Sequence, residues 1–224
     1  MRQNQNFTHL YFHNNNITSV DLSQNVNLIE LTTSSNPIHQ LDVSHNLKLE
    51  HFICEYNGLS ELDLTNNPLL DQLYIDKTEL TTLNLSQNKN LTRISFDYTS
   101  IPTLDLSQNT KLTHVRSANS KLASLDLSHN PELTDLWLFN NKLQSLDLSQ
   151  SAKLKNLSIT NNKLTSLDLS KNTALEYIVT KDNQRVLPNG TKLSELSGFD
   201  LSKVSQVQGR NFNDGKVNSL FIDL

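Results

Sequence analysis

The sequence predicts a mainly-β solenoid wound from 21-residue coils, and three observations carry that prediction. The phrase Leu-Asp-Leu-Ser-x-Asn recurs at a fixed interval, its first residues being Val20, Leu41, Leu62, Leu83, Leu104, Leu125, Leu146 and Leu167, each 21 positions after the last. A second half follows each phrase and reads, in the unit beginning at Leu125, Leu133-x-x-Leu136-x-Leu138-x-x-Asn141-x-Leu143. The same frame gives Leu154, Leu157, Ile159, Asn162 and Leu164 in the next unit, and Phe7, Leu10, Phe12, Asn15 and Ile17 at the start. Finally, only 36% of the 224 residues are hydrophobic and Gly and Pro number five each, a bias that points to repetition rather than to an ordinary globule.

The second half-unit has the pattern of leucine-rich repeats. Residues i and i+2 of a strand share a face, so Leu136 and Leu138 are expected to point inward while Asp135, Trp137 and Phe139 point out. One coil cannot bury its own leucines, and stacked coils bury them against each other. Nine strand-bearing units fit residues 1–183, which at about 4.8 Å per strand make a parallel concave ribbon on the order of 40 Å long. Coils this short leave little room for a helix on the back, so short extended segments are expected on the convex side.

Two polar columns should run inside the turns. One holds Asn25, Asn46, Asn67, Asn88, Asn109, Asn130 and Asn172, with Ser151 once in place of Asn. The other holds Asn15, Asn36, Asn57, Thr78, Thr99, Ser120, Asn141, Asn162 and Asn183. Backbone that leaves a sheet needs hydrogen-bond partners, which the amide of Asn supplies as both donor and acceptor. The triplet Asn90-Leu91-Thr92 could also accept a glycan, but the structural reading is preferred. The repeated carboxylates, Asp21 through Asp168, are expected to bond turn amides or a nearby Ser or Thr.

Function is expected on the face whose residues differ from coil to coil. In the Leu-Asp-Leu half the outward residue is Asp in every unit but one, which has Asn84; in the other half it changes at almost every unit. Trp137 lies outward because the inward seats of its unit are filled, and with Phe139 and Arg116 it has the composition of a binding hot spot. Arg116 is expected to stack on Trp137. The candidate ligand-binding residues are Tyr74, Asp76, Asp97, Arg93, Arg116, Trp137, Phe139 and Tyr98. Glu55, Asp76 and Asp97 stack on successive coils and read as a solvated acidic stripe. His9, Glu30 and His51 stack too, but with no fourth ligand they make a poor metal site.

Other function classes lack support. A net charge of −4 gives no basic field for nucleic acid or an anionic membrane, and no apolar run approaches the roughly 20 residues of a membrane span. The start of the chain has no apolar signal region, and one cysteine, Cys54, allows no internal disulfide. No phosphate-cradling glycine loop, zinc motif or nucleophile elbow occurs. Neither an enzyme nor a cofactor is expected.

The unit Leu-x-x-Leu-x-Cys/Leu-x-x-Asn-x-Leu-x-x-Leu-Asp-Leu-Ser-x-Asn over residues 7–183 resembles the internalin J type of bacterial cell-surface leucine-rich-repeat proteins. Those relatives place a cysteine at the second inward strand position; here Cys54 keeps it, and Phe12, Thr33, Ile75, Phe96, Ser117, Leu138, Ile159 and Thr180 occupy the other coils. The resemblance implies an extracellular, surface-displayed or secreted adhesin-type protein of a Gram-positive bacterium. It also implies a signal peptide, a wall anchor and further domains outside this sequence. Residues 184–224 leave the repeat, with turn and strand signals near Val186–Thr191 and Val217–Ile222. They are expected to form a β-rich cap or to begin a following domain. The reading is thus a monomeric, non-catalytic binding module for a protein or glycan, including one on a host cell. The alternative is a rigid spacer presenting other domains from the cell wall.

Overall fold

A computed structural model of the chain describes residues 6–180 and 183. Nine strands of three residues each follow one another without interruption by any other element: β1 (His9–Tyr11), β2 (Glu30–Thr32), β3 (His51–Ile53), β4 (Gln72–Tyr74), β5 (Arg93–Ser95), β6 (His114–Arg116), β7 (Asp135–Trp137), β8 (Asn156–Ser158) and β9 (Tyr177–Val179). They form one parallel sheet in chain order. The register advances by one 21-residue coil at every step, so that equivalent positions meet: Val115 pairs with Leu136 and Leu136 with Leu157. This is a leucine-rich-repeat solenoid, with the sheet on its concave side and, among the described residues, no helix on its back. The expected cap or following domain at residues 184–224 lies outside the described residues.

The alternation read from sequence sets the faces. Leu31, Phe52, Leu73, Val115, Leu136 and Leu157 are fully buried at the middle strand position, while most residues on either side of them are more accessible. Leu28, Leu49, Leu70, Leu91, Leu112, Leu133 and Leu154, three positions earlier in their coils, share that core, as do Leu59, Leu80, Leu122, Leu143 and Leu164 beyond the strands. Each such leucine contributes about 1.5–3 kcal/mol relative to exposure. Coil stacking is what makes the contribution available. Cys54 sits in this core, and burial pushes its thiol well above the ordinary value, so it behaves as a small apolar group.

The two polar columns hold the turns. In the first, each Asn amide from Asn46 onward donates twice to carbonyls of the preceding coil: Asn109 Nδ2 reaches Leu85 O at 3.1 Å and Asn88 O at 2.9 Å. The oxygens of these side chains accept nothing, a cost repeated at Asn46, Asn67, Asn88, Asn109, Asn130 and Asn172. In the second column both ends are used. Asn162 Nδ2 donates to Ile159 O and Leu138 O, and its oxygen accepts from Leu143 N–H at 3.1 Å. Ser120 plays a shortened form of that role, accepting from Thr99 N–H and donating to Phe96 O. On the back, each Asp of the Leu-Asp-Leu phrase accepts the N–H two residues on, as Asp126 does from Ser128 at 2.9 Å. Such bonds from backbone and hydroxyl hold Asp63, Asp105, Asp126, Asp147 and Asp168 below the usual carboxylate range.

One residue per coil, just before the second column, takes the left-handed conformation: Asn14, Ser35, Tyr56, Lys77, Tyr98, Asn119, Asn140 and Asn161, with φ between 52° and 57°. Asn tolerates that region and bulky side chains do not. Three successive coils therefore carry Tyr56, Lys77 and Tyr98 against the local preference.

Candidate functional site

The central outward column of the sheet runs Tyr11, Thr32, Ile53, Tyr74, Ser95, Arg116, Trp137, Ser158, Val179. Ser95 is the small residue between two large neighbours, and its burial (3% exposed) leaves a notch above it. A pocket of about 350 Å³ opens there. Ser95, Ile94 and Val115 form its floor, Tyr74 one wall and Arg116 with Trp137 the other. Arg93 and His114, the first residues of β5 and β6, rim it on one side, and Glu55 and Asp76, two residues beyond β3 and β4, on the other.

The charged groups are held in different ways. Asp97 is buried; its Oδ1 accepts the Ala118 N–H at 2.6 Å and its Oδ2 accepts Arg116 Nε at 2.7 Å. Burial pushes the Asp97 carboxyl above the usual range, with the Ala118 N–H opposing and the nearby Asp76 charge adding to the rise. Arg116, anchored through Nε, also lies over the Phe139 ring, 5.4 Å from its centroid. Among the described residues its Nη groups have no partner. Asp76 Oδ1 accepts from Ser95 Oγ at 2.6 Å and from Asp97 N–H at 2.7 Å. Glu55 is raised by burial and then by the charges of Asp76 and Asp97. On the opposite rim, His114 Nε2 is 3.1 Å from Asp135 Oδ2. Burial lowers His114 most, Asp135 opposes that, and Arg93 adds to it.

This geometry corrects three expectations. The acidic stripe is not simply solvated. At this column the next coil's N–H groups point toward the previous side chain, so Asp76 and Asp97, like Ser34 toward Glu55 N–H, are drawn in as acceptors. Asp97 therefore presents almost nothing to solvent; it positions Arg116. And Arg116 rests on Phe139, while Trp137 meets Tyr177 with ring centroids 5.6 Å apart. Trp137 is half-buried rather than standing free.

Of the eight residues singled out by sequence, Tyr74, Asp76, Arg93, Arg116 and Trp137 come together in this pocket. Phe139 and Asp97 support Arg116 from beside it. Tyr98 lies away on the flank, where it and Tyr56, each 52% exposed, enclose Lys77 Nζ at 4.8 and 4.4 Å. Sequence reasoning missed Ser95, His114 and Lys77 as contributors. The signal for Ser95 was its small size between Tyr74 and Arg116 in the column. The His9–Glu30–His51 stack spans 3.9 and 4.0 Å, and among the described residues no group of three or more His, Cys, Asp or Glu could hold a metal ion. No helix among those residues is long and apolar enough to cross a membrane.

The period, the parallel sheet and the variable concave face define a protein of the leucine-rich-repeat class. Within that class the chain is internalin-like. It is 34% identical, with a TM-score of 0.72, to the functional domain of InlJ from Listeria monocytogenes, which includes a cysteine ladder. That match covers 76% of this chain and 38% of that one. A leucine-rich-repeat protein of Leptospira interrogans superposes with a TM-score of 0.78 at 20% identity, covering 88% of this chain and 54% of that one. For Toll of Drosophila, solved in complex with Spätzle, the TM-score is 0.69 at 20% identity, covering 81% of this chain and 27% of that one. These two share the fold. The chain thus spans from about a quarter to about half of the length of these structures. No protein-family model matches the chain, and no curated protein matches it at a significant level.

Proposed function

We propose that the chain is the non-catalytic binding module of a bacterial surface or secreted protein, of adhesin type, which holds a protein or glycan ligand on its concave face. The observation that carries this reading is the notch over Ser95, walled by Tyr74, Arg116 and Trp137, on the face whose residues differ from coil to coil. A half-buried tryptophan and a supported arginine beside a pocket are the kinds of group that dominate measured interface energies. Toll, of the same fold, is solved with the protein Spätzle bound, which supports a partner of the same kind here. The likeness to InlJ supports a bacterial surface location.

The test is capture of partners from host-cell surface or serum by the wild-type chain and by the Trp137→Ala, Phe139→Ala double variant. Both residues are half-buried rather than core, so circular dichroism should show the solenoid intact. Capture lost in the folded variant supports the reading. Capture that is unchanged refutes the site, and capture by neither protein favours a rigid spacer.

A further inference from the structure

The charges around the notch are sorted along the solenoid axis. On the coils of β3 and β4 stand two carboxylates: that of Glu55 accepts no hydrogen bond from the described residues, and that of Asp76 has one oxygen uncommitted among them. On the coils of β5 and β6 stand two guanidinium groups. The Arg93 guanidinium is exposed and meets no hydrogen-bond or ion-pair partner among the described residues, and Arg116 has its Nε fixed by Asp97, with its Nη groups unpaired among those residues. The other carboxylates beside these arginines are already engaged, Asp97 by Arg116 and Ala118 N–H, and Asp135 by His114 and Asn156. Tyr74 and Trp137 wall the space. From the coil of Glu55 to that of Arg116 is three strand spacings, or about 14 Å. An arginine anchored through Nε offers its end-on Nη pair, the geometry that receives a planar carboxylate with two parallel bonds.

We propose, resting on the binding-module reading above, that the notch takes an extended segment of a protein partner lying across the strands, whose acidic side chain meets Arg93 and Arg116 and whose basic side chain meets Glu55 and Asp76. Extended polypeptide rises about 3.3 Å per residue, so two side chains four residues apart lie on one of its faces and about 13 Å apart, between the two strand spacings (about 10 Å) that separate the middles of the charge pairs and the three (about 14 Å) that separate the outer coils. A neutral ligand leaves both charge pairs of the notch unanswered, and a purely anionic one meets Glu55 and Asp76. Asp97 is a positioning residue in this arrangement, since it touches Arg116 and not the ligand.

Trp137 is the chain's one tryptophan and forms part of the wall, so its fluorescence reports occupancy. The probe is the peptide acetyl-Glu-Gly-Gly-Gly-Lys-amide, compared with versions in which Glu or Lys is replaced by Gln, and with glucuronate. The expected result is a saturable change in Trp137 emission in the millimolar range, weakened about 1.5- to 5-fold by either replacement, the span of an exposed charge pair. Arg93→Gln, at an exposed position, should narrow the difference between the Glu and Gln peptides while leaving the Lys effect. The proposal is overturned if all three peptides bind alike, if none responds through the millimolar range, or if glucuronate binds more tightly than the dipolar peptide. Should partner capture depend on Trp137 yet ignore Arg93→Gln, the binding-module reading stands and this one falls.

Discussion

Replacing Ser151 by Asn should stabilise the solenoid. At the equivalent place in the other coils the Asn amide ties its own coil to the one before: Asn130 Nδ2 donates to Leu106 O at 3.1 Å and Asn109 O at 3.0 Å. Ser151 keeps the same turn, its N–H on Leu148 O at 3.0 Å and its carbonyl accepting Leu154 N–H at 3.1 Å. Its hydroxyl finds no partner. The carbonyls that an amide at 151 would reach, Leu127 O and Asn130 O, each accept one bond from within their own turn. Two new amide–carbonyl bonds contribute about 0.5–1.5 kcal/mol each. The orphan hydroxyl is exchanged for an orphan amide oxygen, as in the other coils, so that penalty roughly cancels. Ordering the longer side chain costs up to about 1 kcal/mol. A net gain of about 1 kcal/mol remains, or roughly 2–4 °C in Tm for a domain of this size. Asn109→Ser in a middle coil is the mirror change and should cost a similar amount. Urea and thermal denaturation of both variants measure the pair. Stability that falls in Ser151→Asn, or that moves in the same direction in both, would show that interturn bonds are not why Asn fills this column.

Tyr98→Asn, which places a tolerant residue at φ 56°, should raise stability by about 0.5–1 kcal/mol in the same denaturation assay, despite the loss of a ring contact with Lys77. Leu136→Ala, at a fully buried middle strand position, should cost about 2–5 kcal/mol and lower the denaturation midpoint accordingly. Asp97→Asn keeps the shape and an acceptor for Ala118 N–H but releases Arg116; folding free energy should change by less than about 1 kcal/mol while partner capture weakens. Stability should pass through a maximum on acidification below the range in which His114 titrates, whose lowered folded value takes some stability away as pH falls through its ordinary 6.5. Glu55 and Asp97 have folded values raised above their ordinary 4.5 and 3.8, so stability climbs as pH falls through those raised values and stops climbing at the ordinary ones. The lowered carboxylates Asp42, Asp63, Asp105, Asp126, Asp147 and Asp168 stabilise above 3.8, and that contribution is lost as pH falls through their depressed values. Melting curves from about pH 7 down to about pH 2 read this, and the Glu55→Gln, Asp97→Asn double variant should lose the climb and keep the fall.

Period makes most of the fold legible. A repeat of 21 fixes which residues stack, and alternation fixes which of them face in, so Leu136 and Leu138 fall in the core and Trp137 outside it from the chain alone. What period cannot convey is how far a side chain leans toward its neighbour. Stacking alone sets Arg116 on Trp137, one strand away at the same level; it lies instead on Phe139, toward the column where Asp97 draws its Nε. Nor does like charge on successive coils reveal burial. By its column Asp97 is one member of a wet stripe, yet it is drawn in to accept the Ala118 N–H. The notch itself is hidden in a residue that carries no chemistry. Ser95 matters because it is small, and smallness has meaning only beside the Tyr74 and Trp137 that wall the space above it.

The arrangement around Asp97 separates what the solenoid requires from what it has been given. At the same level of other coils stand Ser34, Ala118, Phe139 and Thr160, and the backbone there takes the same left-handed step one residue later. The turn therefore does not need a carboxylate. Burying one costs free energy, and placing it beside Asp76 costs more, which is why its proton is held more tightly than usual. The group that gains is Arg116, which is fixed through one nitrogen and packed on a ring with its remaining donors free. An arginine left to itself on a sheet surface would lose about 2 kcal/mol of side-chain freedom on meeting a ligand. Here much of that loss has been incurred within the folded chain. A face that only had to be soluble would have no use for such an arrangement, which fits the proposed meeting of Arg116 with an acidic side chain of the partner.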